Sequence, residues 1–304
     1  MNNTDIFVAI ASYRDPECEY TISNLLEKAK WPKRIKIGVC LQLCLEDDSL
    51  KIISNEKIKV LNFDISESKG ACWAKKRAMS LWNGERYVLM IDSHMRFEQN
   101  WDKRMIDMLA QCPSDKAILS TYPASYTPPN NLIPSTPHLI AKKFDARTRI
   151  LKFEGRPSLM ERPKRGAFIA GGFVFSKAGL FQEVPYDEDI YFYGEEILFS
   201  VRAWTWGWDV YAPNESLIYH YYGRSESKKH WDDCSGWPDL ETASRRKLLR
   251  ILGTEVASAD NEKGDAVFGT ARTLKEYESF SGIDFQKMTI KKAARLGVFE
   301  DLEH

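Results

Sequence analysis

The sequence predicts an α/β fold in which a mostly parallel central sheet is flanked by helices. Strand-like and helix-like patterns alternate over the first hundred residues with short links, which implies parallel strands and right-handed crossovers. Two polar triplets, Tyr13-Arg14-Asp15 and Asp92-Ser93-His94, follow strand-like runs, at the carboxyl ends where open α/β sheets bind ligands. A chain of 304 residues is long enough to bury one full core.

Each element has its own signal. Ile6 to Ala11 is an apolar run and the first strand. Tyr20 to Lys30 carries Ile22, Leu25, Leu26 and Ala29 at helical spacing. Ile35 to Leu43 and Lys57 to Phe63 are the next strands. Gly70 to Trp82 is a helix bearing Ala74, Ala78, Leu81 and Trp82. Tyr87 to Ile91, bounded upstream by Asn83-Gly84, is the fourth strand, and Trp101 to Cys112 is a further helix. Thr121 to Pro137 is rich in Pro, Ser, Thr and Asn, and predicts a long irregular loop of the kind that often binds ligands. Residues 142–165 hold nine Lys and Arg against three Asp and Glu, which predicts a solvated hairpin face, with contact to an acidic partner or to phosphates as the alternative. Residues 181–196 are acidic without a basic residue. Ile197 to Trp206 is helical, Trp208 to Tyr211 and Leu217 to His220 are strands, Ser244 to Leu252 is a basic amphipathic helix, and Thr289 to Leu296 is a short helix. No internal repeat is visible.

Composition excludes several classes. Basic and acidic residues are balanced at 43 each, so no global field exists to hold nucleic acid or an anionic membrane. Six cysteines occur without a C-x-x-C pair, which argues against a zinc ribbon. No stretch approaches a membrane span, and the N-terminus lacks the basic and apolar regions of a leader, so a cytoplasmic protein of a reducing compartment is expected.

Asp92-Ser93-His94 is the most informative motif. A carboxylate and an imidazole two residues apart at a strand end can face one divalent cation, and that mixed oxygen and nitrogen set suits Mn²⁺ and its neighbours better than Ca²⁺. In the second half, Gly171-Gly172 is followed by Gly194-Glu195-Glu196 at a helix start and by His220 after a strand. Glycines allow close backbone approach to a ligand. Acids at a helix start favour the helix dipole, so capping is the plain reading of Glu195 and Glu196. Asp15-Pro16 likewise reads as a helix N-cap with proline at the first turn.

This order resembles that of metal-dependent nucleotide-sugar glycosyltransferases of the GT-A type, and more distantly the polypeptide N-acetylgalactosaminyltransferases. A closer resemblance is to glycosyltransferase family 60, the cytosolic polypeptide α-N-acetylglucosaminyltransferases. It is carried by Ile10 to Glu17, Ile91 to Phe97, Gly194-Glu195-Glu196, His220 to Arg224, Lys229-His230-Trp231 and Arg272 to Tyr277, so it covers most of the chain.

The resemblance implies one GT-A-like domain over residues 1–304, with a nucleotide-binding half at 1–100, a sugar and acceptor half at 101–223, and a lid with a C-terminal extension at 224–304. It implies Asp92, His94 and His220 as ligands of Mn²⁺ or Mg²⁺, with His230 competing for the third place or touching the phosphates, and Ser93 beside them. Tyr13, Arg14 and Asp15 are expected at the nucleotide, and Asp64 at the uracil edge. Lys75, standing where an arginine is more usual, and Arg77 are expected at the diphosphate. Gly171 and Gly172 are expected at the sugar. Glu195, or alternatively Glu196, is expected to contact sugar hydroxyls or take the acceptor proton. The implied reaction is transfer of N-acetylglucosamine from UDP-GlcNAc to a protein or glycan hydroxyl with retention. The rivals are a polysaccharide or glycolipid transferase using another UDP-sugar, and a lectin-like module without turnover.

Overall fold

The computed structural model describes residues 5–44, 46–254 and 268–299. Strand β1 (Ile6–Tyr13) leads through helix α1 (Glu17–Lys28) to β2 (Ile35–Leu43) and β3 (Ile58–Asp64), then through α2 (Ala71–Met79) to β4 (Tyr87–Asp92). All four strands are parallel, in the order β4-β1-β2-β3. Side chains alternate across β1, as the pleat requires. Val8 and Ile10 pack with Ile22 and Leu25 of α1 on one face, while Phe7 and Ala9 pack with Ala74 and Ala78 of α2 on the other.

The second half extends this sheet and adds a smaller one. After β5 (Met95–Phe97) and α3 (Trp101–Ala110) come β6 (Ala117–Leu119), β7 (Ala124–Thr127), β8 (Asn131–Ile133), β9 (Pro137–Phe144), β10 (Leu151–Pro157), β11 (Lys164–Gly166) and β12 (Phe173–Lys177). Helices α4 (Gly179–Glu183) and α5 (Glu195–Thr205), strands β13 (Asp209–Ala212) and β14 (Ile218–His220), and helices α6 (His230–Asp233), α7 (Trp237–Ile251), α8 (Leu274–Ser281) and α9 (Lys292–Leu296) follow. The central sheet runs β11-β13-β6-β12-β4-β1-β2-β3, with β12 antiparallel to both β4 and β6. The small sheet runs β5-β14-β7-β8, and β9 with β10 forms a separate hairpin.

Several expectations change here. The expected loop from Thr121 to Pro137 contains β7 and β8, because β14 offers β7 a parallel edge, a tertiary partner that local composition does not encode. The helix expected from Ser244 begins at Trp237, where a proline in the first turn costs no hydrogen bond. Only Lys292–Leu296 of the expected tail helix is helical, since Thr289–Ile290 pairs with Ile283–Asp284. Among the described residues, no helix is long and apolar enough to cross a membrane.

Candidate active site

Three elements converge on one point. Asp92 ends β4 and His94 lies in the turn to β5. Strand β5 pairs with β14 so that His220 faces Met95, which brings His220 beside His94 across 126 residues of sequence. One ligand atom from each of Asp92, His94 and His220 lies within 4.8 Å of the others. His94 Nε2 is 2.9 Å from His220 Nε2, and His220 Nε2 is 3.4 Å from Asp92 Oδ2. Burial opposes ionisation of Asp92, but the hydrogen bond from His220 and the charges of Lys75 and His94 hold its carboxyl well below the usual carboxylate range. Burial lowers the pKa of His94, which favours the neutral imidazole a metal needs.

Behind this trio sits Asp15, only 1% exposed. Its Oδ2 lies 2.8 Å from His94 Nδ1, accepts from the Ser93 hydroxyl at 2.5 Å, and pairs with Arg224 Nη2 at 3.0 Å. Burial works against the Asp15 charge, but His94, Arg224 and Ser93 outweigh it and hold the carboxyl at about 2. An ionised partner at Nδ1 fixes the tautomer that leaves the Nε2 lone pair free, as second-shell carboxylates do for metal-bound histidines. Asp15 Oδ1 also accepts from the Glu17 amide, so its capping reading holds with a different atom. The donor set therefore fits a divalent cation: one low-pKa carboxylate and two imidazoles, one of them pre-oriented.

The trio opens onto a cleft walled by Tyr13, Lys75, Tyr191, Arg224, His230 and Trp231. His230 Nδ1 meets the Tyr191 hydroxyl at 2.7 Å, and its Nε2 lies 3.2 Å from the Ser68 carbonyl, so both ring nitrogens face protein partners. Tyr13 lines the cleft and donates its hydroxyl to Asp233 at 2.9 Å. Arg14 turns away from the cleft to pair with Asp47, Asp48 and Asp233. Asp64 caps the short turn Ile65–Glu67 through the Ser66 amide. Arg77 pairs with Glu188 and covers the Trp73 ring, while Lys75 lines the cleft beside Ala71 and Ala74 of the same helix.

A second cleft adjoins the first, sharing Lys75, Asp92 and Phe192. Here lie Gly171, Gly172, Glu195, Glu196 and Tyr122. Lys75 Nζ sits 2.5 Å from Glu195 Oε1 and 2.7 Å from the Gly171 carbonyl. Glu195 Oε1 is thus tied to a buried lysine. Glu196 Oε1 accepts from the Gly171 amide at 3.0 Å, and its Oε2 accepts from the Tyr122 hydroxyl at 2.8 Å. Burial pushes Glu196 up to about 7, with Glu195 adding to the shift and the two hydrogen bonds opposing it. A Cβ on Gly172 would lie 2.3 Å from Asp92 Oδ2, so only a glycine leaves room for the Asp92 carboxylate in this position. Gly194, at φ +92° and with Leu248 in the space of a Cβ, sets the turn that presents both glutamates.

Sequence reasoning gave no role to Tyr122, Tyr191 or Arg224. Arg224 lies four residues after His220 in a motif already quoted, and Tyr122 falls in the Thr121 to Pro137 segment expected to bind ligands.

A family model described as Glycosyltransferase (GlcNAc) matches residues 5–55 and 44–287. Among solved structures, GalNAc-T7 with UDP, GalNAc and Mn²⁺ aligns with a TM-score of 0.60 at 14% identity, covering 90% of this chain and 54% of that chain. The structure of S. aureus TarS 1-349 in complex with UDP-GlcNAc aligns with a TM-score of 0.48 at 15% identity, covering 84% and 68% of the two chains. No curated protein matches by sequence. The chain spans 54%, about half, of the GalNAc-T7 chain, and that likeness shows a shared GT-A fold.

Proposed function

The chain belongs to the glycosyltransferase (GlcNAc) family, and from that premise we propose that it transfers N-acetylglucosamine from UDP-GlcNAc to a hydroxyl of a protein or glycan, using Mn²⁺ or Mg²⁺. The observation that carries this reading is the Asp92–His94–His220 trio, which lines one cleft and, through Asp92, borders the second. These three residues would hold the ion, whose chemistry is to neutralise charge on the departing diphosphate. The GalNAc-T7 structure, with UDP, GalNAc and Mn²⁺ in one protein of this fold, supports the choice of donor class and metal. The family 60 resemblance is part of the same proposal.

The chain's own residues take the other roles. Tyr13, His230 and Trp231 wall the nucleotide cleft. Lys75 lies between the two clefts and keeps Glu195 in place. Glu195 and Glu196 face the sugar hydroxyls. Both are already engaged, by Lys75 and by Gly171 with Tyr122, which supports retention by front-face attack without an enzymic nucleophile. The acceptor proton then passes to the departing phosphate. The division into a nucleotide half, an acceptor half and a lid follows, with Trp231 in the lid. The six free cysteines support a cytoplasmic setting.

Thermal denaturation tests the donor site. UDP at a hundred times its Kd should stabilise by about 2.7 kcal/mol, a rise of several degrees, only when Mn²⁺ is present. A larger shift with ATP or NAD than with UDP would assign the cleft to another chemistry.

Glu196 gives a second test. Its folded pKa of about 7 lies above the ordinary glutamate value, so its contribution to stability is full below about pH 4.5 and is lost as pH rises through 7. Glu196→Gln should therefore be neutral near pH 4.5 and more stable than the parent at pH 8. The gain is at most about 3 kcal/mol, because cleft solvent screens part of the cost. Turnover should fall in the same variant. A melting difference independent of pH would show that this carboxyl titrates normally.

A further inference from the structure

Arg224 stands in an unusual position for a cation. Its side chain is only 14% exposed. Nη2 pairs with Asp15 at 3.0 Å, and Nη1 lies 3.1 Å from His94 Nε2. Among the described residues its Nε has no hydrogen-bond partner. His94 Nδ1 is committed to Asp15, so Nε2 presents its lone pair on the side where both His220 Nε2, at 2.9 Å, and the guanidinium, at 3.1 Å, approach it. One lone pair cannot accept from an arginine and bind a metal at once. A divalent ion at Nε2 would also carry charge of the same sign as the guanidinium whose Nη1 lies 3.1 Å from that nitrogen.

Arg224 is also wired to the segment that roofs the nucleotide cleft. Its carbonyl accepts from Lys229 Nζ at 2.8 Å and from the Ser227 amide at 3.3 Å. Lys228, Lys229, His230 and Trp231 follow on the cleft wall. The segment is pinned at its far end by Asp233, which accepts from Tyr13 at 2.9 Å and from Arg14 at 3.1 Å.

We propose that Arg224 is a built-in competitor of the metal ion, so that ion loading expels its guanidinium from His94 and loosens residues 224–233 over the donor cleft. This rests on the metal assignment made above for Asp92, His94 and His220. The same contact has two readings with opposite signs. If Arg224 merely supports His94, removing it weakens metal binding. If Arg224 competes, removing it strengthens metal binding. By reciprocity of linkage, whatever the ion does to the roof, holding the roof does to the ion.

The test is calorimetric titration of Mn²⁺, without nucleotide, into the parent protein, Arg224→Lys and Arg224→Gln. Glutamine keeps an N–H donor and loses the charge, while lysine keeps the charge. Arg224→Gln should bind Mn²⁺ at least about fivefold more tightly, the lower end of ordinary coupling between sites, with Arg224→Lys close to the parent. A second readout is the emission of Trp231, isolated by difference against Trp231→Phe. Mn²⁺ should shift it in the parent, and in Arg224→Gln it should already resemble the loaded state before the ion is added. Equal or weaker Mn²⁺ binding by folded Arg224→Gln, with the parent binding normally, overturns the competition and leaves the metal site standing. Absence of Mn²⁺ binding by every protein overturns the metal site, and the competition with it. Tighter binding by Arg224→Lys as well as Arg224→Gln also overturns it, because the charge would then not be the cause.

Discussion

Asp92→Asn should lower turnover at least about a thousandfold, roughly 4 kcal/mol of barrier, and abolish the Mn²⁺-dependent part of UDP binding. Asparagine fills the same volume against Gly172, and the Asp92 side chain is 31% exposed at a strand end, so the protein should remain folded. What it loses is the one carboxylate of the trio. That group is held ionised by His220, Lys75 and His94, and neither an amide nor a neighbouring residue replaces its charge. Steady-state UDP release and a Mn²⁺ titration measure the two losses separately. Unchanged turnover would remove Asp92 from the site.

Glu195→Gln should have the largest effect on stability. At a helix start an acid contributes only about 0.3–1 kcal/mol through the dipole, which is the size of effect its sequence position suggests. The structure places it on Lys75 instead, with side-chain exposures of 5% and 7% for the lysine and the glutamate. Breaking a buried pair by removing one partner costs about 3–5 kcal/mol, because the other charge is left without compensation. Melting should therefore fall by about 5–8 °C for a domain of this size. The double variant Lys75→Met, Glu195→Gln should recover much of that loss, since a buried pair can be exchanged for apolar packing, while turnover stays low. If Glu195→Gln melts like the parent, Lys75 has found another partner and the ion pair is not what holds the floor of the cleft.

The parallel half of the fold was legible because its signals are local. Apolar runs and helical spacing between residues 6 and 91 mark β1, α1, β2, β3, α2 and β4 to within a few residues. The antiparallel entry of β12 was not legible, since nothing in Phe173–Lys177 states which neighbour it will have or in which direction. The same divide runs through the site. Asp92 and His94 are two residues apart, and that spacing can be read directly. His220 reaches them only through the pairing of β14 with β5. Ser93 and His94, two of the partners of Asp15, lie 78 and 79 residues away, and Lys75 and Glu195 are separated by 120. Position at strand ends and the family resemblance suggested ligand contacts for Arg14, Asp15, Asp64 and Arg77. Folding gives each of them a protein partner in this structure, because a buried or half-buried charge needs one. Lys75, expected at the diphosphate, likewise has protein partners, Glu195 and the Gly171 carbonyl, while lining both clefts.

The site is proposed to cleave a UDP-sugar with the help of a divalent ion. The most direct measurement is UDP release from UDP-GlcNAc by the purified protein, with Mn²⁺ and with a chelator. Steady release with Mn²⁺, lost on chelation and lost in Asp92→Asn, is the expected result. A folded protein that releases no UDP from UDP-GlcNAc or from any other UDP-sugar in the presence of Mn²⁺ would contradict it.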